Sequence, residues 1–152
     1  MRRLEWMVIC VQYRFTIPGR LDGLNDYTAA NRTNPNKGGR VKKVNESIVI
    51  MCIRQQLSGV HIQRPVMIYY RFFEKDMRRD GDNILSCGTK FIQDSLTKTK
   101  VLQEDNRKCI PHFYHDVLVD KENPRIEVTS TELSDEQSHM LLADLLKNME
   151  VW

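Results

Sequence analysis

The stretch Asp76-Met-Arg-Arg-Asp80-Gly-Asp82-Asn83, which continues into Ile84–Leu96, organises the rest of this sequence. Asp80 is predicted to be the N-cap of a helix, because its short side chain can accept hydrogen bonds from the free N–H groups of the first turn. Asp82 falls inside that turn, where the positive end of the helix dipole favours an anion. Two carboxylates are therefore expected at the end of one rigid element, an arrangement that suits a hard divalent cation.

More charged side chains follow. The same helix carries Lys90 two turns later and Asp94 about one turn after that, and Glu104-Asp105 adds a carboxylate pair beyond the helix. Carboxylates gathered at the mouth of one sheet would repel each other unless a cation lay between them. This pattern favours a metal site that includes Asp105 or Glu104 together with the first two aspartates.

The same residues also allow a structural interpretation. Asp80 and Asp82 could be a helix cap followed by an exposed acidic turn, and Asp94 could pair with Lys90 because the two are four residues apart. An EF-hand loop starting at Asp76 is excluded, because an arginine and a cysteine would occupy positions 3 and 12, where that motif needs oxygen ligands.

An ordered set of motifs resembles the RusA family of Holliday junction resolvases. The resemblance covers roughly residues 11–129, and the spacing from Asp82 to Lys90 is longer, by about one helical turn, than in the member that gives the family its name. The segments that carry it are Ile17–Asn25, the basic run ending at Lys42-Lys43, Arg79-Asp80-Gly-Asp82-Asn83-Ile84, Lys90-Phe-Ile-Gln-Asp94-Ser-Leu96, Glu104-Asp105 and Val119–Val128.

The resemblance implies a metal-dependent, structure-selective endonuclease that resolves four-way DNA junctions as a homodimer. It implies catalytic roles for Asp80, Asp82, Lys90 and Asp105, and a Mg²⁺ or Mn²⁺ ion held by the three aspartates and Glu104. Lys90 would stabilise the phosphate or position a water. The alternative function is a non-catalytic module that binds junctions or single-stranded DNA, or an adaptor in recombination or replication.

The net charge of +3 is unevenly distributed along the chain. Residues 132–152 contain five acidic side chains and one lysine, so residues 1–131 carry a charge of +7. A basic body suits a protein that binds phosphates. The side chains predicted to contact DNA are Asn25, Arg32, Lys37, Arg40, Lys42, Lys43, Arg78 and Arg79.

Hydrophobic spacing predicts an α+β domain in the order β-α-β-α-β-β, with a small mixed four-stranded sheet and two helices. Pro111 at the start of the third strand indicates an edge position or a bulge. Gly88 is expected to allow close packing of the second helix against a neighbour. The strands are expected at residues 11–17, 66–73, 110–119 and 125–131, and the helices at 41–57 and 80–96.

The first helix is expected to follow a long connection, residues 20–40. Loops of this length are uncommon unless they are functional or mobile, so the connection is either a solvated loop or a basic arm over DNA. The core face predicted for the first helix is Val41, Val44, Ile48, Met51 and Cys52.

Residues 1–131 are predicted to form the endonuclease domain, and residues 132–152 an acidic amphipathic C-terminal helix that begins at the capping box Ser134-Asp-Glu-Gln137. That helix could pack on the body, on a second subunit or on another protein. Four scattered cysteines without zinc spacing indicate reduced thiols in a cytoplasmic protein. The apolar runs are too short for a membrane span, and residues 1–10 lack the features of a signal peptide.

Overall fold

The computed structural model describes residues 10–148, and in it four strands form one mixed sheet. The strand order is β1-β4-β2-β3, with β4 antiparallel to both of its neighbours and β3 parallel to β2. The predicted α+β fold with a mixed four-stranded sheet is confirmed. The elements are β1 Gln12–Pro18, α1 Leu24–Thr33, α2 Pro35–Gln56, β2 Val66–Glu74, α3 Gly81–Lys98, β3 His112–Val119, β4 Arg125–Glu132, α4 Asp135–Ser138 and α5 Leu142–Asn148.

Side chains alternate across β2 and divide the sheet into two faces. Ile68, Tyr70 and Phe72 point to the main core, where α2 and α3 pack. Met67 points to the opposite face, where it packs with Leu133 and Leu145 in a second, smaller cluster. The long helices therefore form one layer, and the C-terminal segment covers part of the other face.

The prediction of a long connection over residues 20–40 is wrong, because most of these residues are helical. α1 spans Leu24–Thr33, and α2 begins at Pro35 rather than near residue 41. Asn34 separates the two helices: its backbone is extended, as favoured before proline, and its side chain accepts a hydrogen bond from Asn36 N. α1 fully buries no side chain, and Leu24 is its only aliphatic side chain larger than alanine, so hydrophobic spacing gives little signal for this helix.

The predicted core face of α2 is partly wrong. Val44 and Met51 are 58% and 54% exposed, whereas Val49 and Ile53 are buried. The buried face of α2 differs from the predicted one because it includes Asn45. The Asn45 side-chain amide donates to Asp22 Oδ2 and to Val41 O, both at 2.7 Å. A polar side chain inside a core is not visible to a search for hydrophobic spacing.

α3 agrees with the prediction. It buries Ile84, Phe91, Ile92 and Leu96 against the sheet. A Cβ on Gly88 would lie 2.9 Å from Phe72 Cε1, closer than side chains normally approach. The expected close packing at this glycine is confirmed.

The prediction of a single C-terminal helix is also wrong, because the segment forms two short helices, α4 and α5. The capping box is confirmed, with Ser134 Oγ accepting from Gln137 N. Leu145 is 1% exposed, so this part of the tail packs on the body. Met149, predicted to end the apolar stripe, lies outside the described residues. Among the helices of residues 10–148, none is long and apolar enough to span a bilayer.

Candidate functional site

The N-terminal end of α3 carries the two aspartates of the central motif. Asp80 is the N-cap as predicted, but its side chain makes no capping hydrogen bond. Asp80 and Asp82 are exposed, and within residues 10–148 neither carboxylate has a hydrogen bond or an ion pair. A Cβ on Gly81 between them would meet no atom within 4 Å. Both carboxylates are therefore open to a ligand, and helix capping does not account for the side chain of Asp80.

A bidentate ion pair fixes the chain just before these aspartates. Arg79 binds the buried Glu74 at the end of β2, with Nη2–Oε1 and Nε–Oε2 distances of 2.5 and 3.2 Å. Its Nη1 donates to Leu21 O at 2.9 Å. All three nitrogens of Arg79 are thus engaged inside the protein, which argues against the predicted phosphate contact. The neighbouring Arg78 side chain is 86% exposed and forms only a surface ion pair, with its Nε 3.6 Å from Asp76 Oδ2.

Asn83 ties α1 to this end of α3. Its Oδ1 accepts a hydrogen bond from Asn25 N at 2.8 Å. A Cβ on Gly23 would lie only 2.4 Å from the same oxygen, so glycine is required for this approach. Asn25, predicted to contact DNA, is therefore held directly beside the acidic end of α3. The sequence motif includes Asn83 but assigns it no role.

Lys90 lies between two carboxylates. Its Nζ is 2.9 Å from Asp94 Oδ1 and 3.0 Å from Asp105 Oδ2. The hydrogen bond to Asp94, followed by the one to Asp105, raises the pKa of Lys90. Burial by itself would raise the pKa of Asp94, but hydrogen bonding to Lys90, Asp105 and Lys42 lowers it overall. The predicted pairing of Lys90 with Asp94 along the helix is present, and it recruits Asp105 as well.

These contacts continue into α2. Lys42 Nζ lies 3.3 Å from Asp94 Oδ2, and that hydrogen bond raises the pKa of Lys42. The same nitrogen is 3.7 Å from an oxygen of Glu46, which also binds Lys98. We refer to Lys42, Glu46, Lys90, Asp94, Lys98 and Asp105 as the α2–α3 ion network.

Sequence reasoning missed the part of this network formed by Glu46 and Lys98. Glu46 is buried although it is charged, and its Oε1 has no hydrogen bond within the described residues. The available signal was its position four residues after Lys42 on one helix. Lys98 is 52 residues away in sequence, and no local pattern links it to Glu46.

The remaining predicted site residues lie at the surface. Glu104 accepts a hydrogen bond from the amide of Asn106. The other basic side chains lie near the end of α1 and in the first turns of α2, and all of them are exposed: Arg32, Lys37, Arg40 and Lys43.

The predicted metal ligands fall into two places. Asp80 and Asp82 occupy the start of α3, whereas Asp105 contacts Lys90, eight residues or about 12 Å further along the helix axis than Asp82. Within residues 10–148, no group of three or more His, Cys, Asp or Glu side chains is arranged so that it could hold a metal ion. The structure brings Lys90, Asp94 and Asp105 together, and the four-carboxylate metal site stays a prediction.

Neither protein-family models nor curated proteins match this chain. The fold and the site define an α+β protein with two open carboxylates at a helix N-terminus and an ion network two turns away. Function is inferred from these side chains.

Proposed function

We propose that this protein is a metal-dependent, structure-selective DNA endonuclease that resolves four-way junctions by phosphodiester hydrolysis. The observation that carries the proposal is the pair of exposed, unpaired carboxylates of Asp80 and Asp82 on α3. A protein that only binds DNA gains nothing from unneutralised carboxylates on its binding surface. The motifs that resemble the RusA family support the same activity.

Asp80 and Asp82 fit a Mg²⁺ or Mn²⁺ ion. Their oxygens are exposed and have no protein partner within residues 10–148, and Mg²⁺ is commonly held by one or two carboxylates together with waters and substrate phosphates. Asp105 and Glu104 are the further proposed ligands, and each would have to exchange its present partner for the ion. When bound, the ion supplies a hydroxide near neutral pH and offsets negative charge on the phosphate.

Lys90 is proposed to act by its charge. Its contacts with Asp94 and Asp105 raise its pKa, so the side chain remains an ammonium ion at neutral pH. A lysine in that state can neutralise a phosphate oxygen but cannot accept a proton from water. Lys90 is therefore proposed to stabilise the phosphate, rather than to serve as a general base.

The proposed DNA contacts are divided by their surroundings. Lys42 is engaged by Asp94 and Glu46, and Arg79 by Glu74, so these two basic residues are proposed to position the site. Exposed arginine and lysine side chains suit contacts with phosphates. Those available are Arg32, Lys37, Arg40, Lys43 and Arg78, together with Asn25 beside the acidic end of α3.

A junction-binding module without catalysis is the second candidate. It is favoured by the ion pair that occupies Asp105 and by the lack, within residues 10–148, of a three-carboxylate group that could hold a metal. In this alternative the protein uses the same fold and basic surface to bind a junction, and it recruits other proteins of recombination or replication to that junction. Leu141 and Leu146, both exposed in the C-terminal segment, are available for an adaptor role.

The deciding experiment compares cleavage with binding. Synthetic four-way junctions, linear duplexes and flaps are incubated with the protein and Mg²⁺ or Mn²⁺. Asp80→Asn and Asp82→Asn each remove one charge while keeping side-chain size and capping ability, so we expect the fold to survive and cleavage to fall by orders of magnitude. Binding to a metal-free junction should persist or tighten, because fewer anions then face the phosphates.

Asp135→Asn is the matched control, because it makes the same change on an exposed aspartate of α4. It should leave cleavage and binding unchanged. Near-normal magnesium-dependent cleavage by Asp80→Asn would overturn the assignment of the metal site. A wild-type protein that binds junctions tightly but cleaves none of the substrates with either metal would establish the binding module instead.

A further inference from the structure

A cleft of about 660 Å³ opens beside the start of β2, at the opposite end of that strand from Asp80. Three parts of the chain form its walls: the residue before β2, the segment that leads into β3, and α4 with the two residues that follow it. Cavities of about 300–1,000 Å³ are typical of sites for small molecules. The cleft is large enough for such a ligand, and the described residues that line it include none from the acidic end of α3 or from the α2–α3 ion network.

Hydrogen bonds hold the segment that brings two cations to this cleft. Asn106 Oδ1 accepts from Lys108 N at 3.1 Å and from Cys109 N at 3.0 Å. Cys109 O accepts in turn from Val66 N at 2.9 Å, which ties the segment to the first residue of β2. The backbone of Arg107 and Lys108 is therefore fixed against the sheet, while both side chains are exposed.

The lining of the cleft is rich in groups that bind anions. Within residues 10–148, the side chains of Arg107 and Lys108 have no ion pair and no hydrogen bond. Two imidazoles lie on the same lining, His112 on β3 and His139 at the C-terminal end of α4. Asp135 is the one acidic side chain among the described lining residues, and it pairs with neither cation. The cleft thus combines two unpaired cations and two imidazoles with a single carboxylate.

His112 contributes an unsatisfied group to this lining. It is the first residue of β3 and lies opposite Met67, so its side chain is on the sheet face that the C-terminal segment covers. Its Nε2 is buried and has no hydrogen bond within the described residues. An unpaired buried polar atom is costly. Because His112 as a whole is only half-buried, its ring can turn to take a hydrogen-bond partner that a ligand in the cleft supplies.

The chemistry of this lining selects a phosphate group. A guanidinium pairs bidentately with phosphate oxygens, and an ammonium adds a second charge. A phosphate monoester carries a charge of about −1.5 to −2 at pH 7 and three acceptor oxygens, so it can engage Arg107, Lys108 and an imidazole together. A carboxylate has only two oxygens for the same donors.

The rest of the lining suits the body of a small molecule. Apolar side chains contribute to the walls of the cleft at Pro65, Pro111 and Met140, and small-molecule sites combine such walls with a few polar groups. We propose that this cleft is a binding site for a dianionic phosphate group, either free phosphate or a small organic phosphate monoester.

The phosphate cleft is separate from the proposed nuclease site. The nine residues of β2 lie between them, about 30 Å at the rise of an extended strand. The two places also differ in charge, since Asp80 and Asp82 attract a cation whereas Arg107 and Lys108 attract an anion. The cleft does not depend on the proposed function, and either proposal can fail without the other.

Amide chemical shifts of the full chain, recorded by ¹H–¹⁵N NMR without metal or DNA, test the site. Sodium phosphate, compared with sodium chloride at the same ionic strength, should move the amides of residues 106–112 and 135–140 in a saturable way. A nucleoside 5′-monophosphate should do the same, and the nucleoside without its phosphate should not. Tighter binding of the monophosphate would identify an organic phosphate monoester as the ligand, equal affinities would identify free phosphate, and either result supports the site.

Paired charge removals make the test specific. Arg107→Gln combined with Lys108→Gln changes two exposed residues, so we expect the fold to survive and the affinity for phosphate to fall about tenfold or more. Arg20→Gln combined with Lys121→Gln is the matched control, because it removes the same charges from exposed residues outside the cleft, and it should bind phosphate as wild type does. A lack of saturable shifts at the cleft, equal shifts with chloride, or an unchanged affinity in the first double variant would overturn the inference.

Discussion

The contact between Gly23 and Asn83 offers a sharp test of how the acidic end of α3 is positioned. Gly23 has a φ of −94°, which any residue can adopt, so an alanine there adds no backbone strain. Its Cβ, however, would lie 2.4 Å from Asn83 Oδ1 and 2.8 Å from the backbone oxygen of the same residue. The amide side chain can rotate away, but the backbone oxygen belongs to the first turn of α3.

Two costs are therefore expected in Gly23→Ala. Overpacking a tight contact costs about 1–3 kcal/mol, and the hydrogen bond from Asn25 N to Asn83 Oδ1, about 1 kcal/mol, is lost as the side chain moves. For a chain of 152 residues, each 1 kcal/mol lowers Tm by about 2–4 °C. The two costs together are about 2–4 kcal/mol, so we expect thermal unfolding followed by circular dichroism to show a decrease in Tm of about 4–16 °C.

Gly39→Ala is the matched control, because Gly39 is inside α2 and its added Cβ would meet no atom within 4 Å. Alanine should stabilise that helix by roughly 0.5–1 kcal/mol. The double variant Gly23→Ala, Asn83→Ala should recover part of the loss, since the closer of the two clashes is removed. Gly23→Ala with a Tm equal to or above that of wild type would refute the reasoning.

Two further predictions concern the ion network and the C-terminal segment. The pKa of Asp94 is lower in the folded protein than its ordinary value of 3.8. The stability that Asp94 contributes is therefore complete above pH 3.8 and is lost as the pH falls through its folded pKa. Urea unfolding from pH 7 to pH 2 should show this loss in wild type and a flatter profile in Asp94→Asn, and parallel profiles would contradict the network. Leu145→Ala should lower the free energy of unfolding by about 2–5 kcal/mol because the side chain is buried. Leu141→Ala, at a position that is 73% exposed, should change it by less than about 0.5 kcal/mol. Equal effects of the two substitutions would mean that the C-terminal segment does not pack on the sheet.

Parts of the site could be predicted because their causes are local. The helix that begins after Asp80, its buried side chains and the close packing at Gly88 all follow from residue types at fixed spacing along one element. The capping box at Ser134 is local in the same way. The edge position of β3 is one of the two outcomes indicated by a single proline.

The errors have physical reasons of their own. The sequence predicts a loop where α1 lies because this segment is mostly polar, and the start of α1 at Gly23 depends on Asn83, 60 residues away. Hydrophobic spacing predicts the wrong core face for α2, because Asn45 is inside the core, where its hydrogen bonds with Asp22 and Val41 make burial acceptable. A pattern of apolar residues cannot report either event.

The sequence by itself determined the fold class and placed two carboxylates at the start of a helix, because a helix cap and its first turn are made by neighbouring residues. Tertiary structure decided which of the charged groups are free. It engages Arg79 with Glu74 and Asp105 with Lys90, and it leaves Asp80 and Asp82 without partners within residues 10–148. It also protects one edge of the sheet with Gln56 and exposes the other. Each of these outcomes depends on which distant side chain folding brings within a few ångströms, and spacing along the chain does not contain that distance.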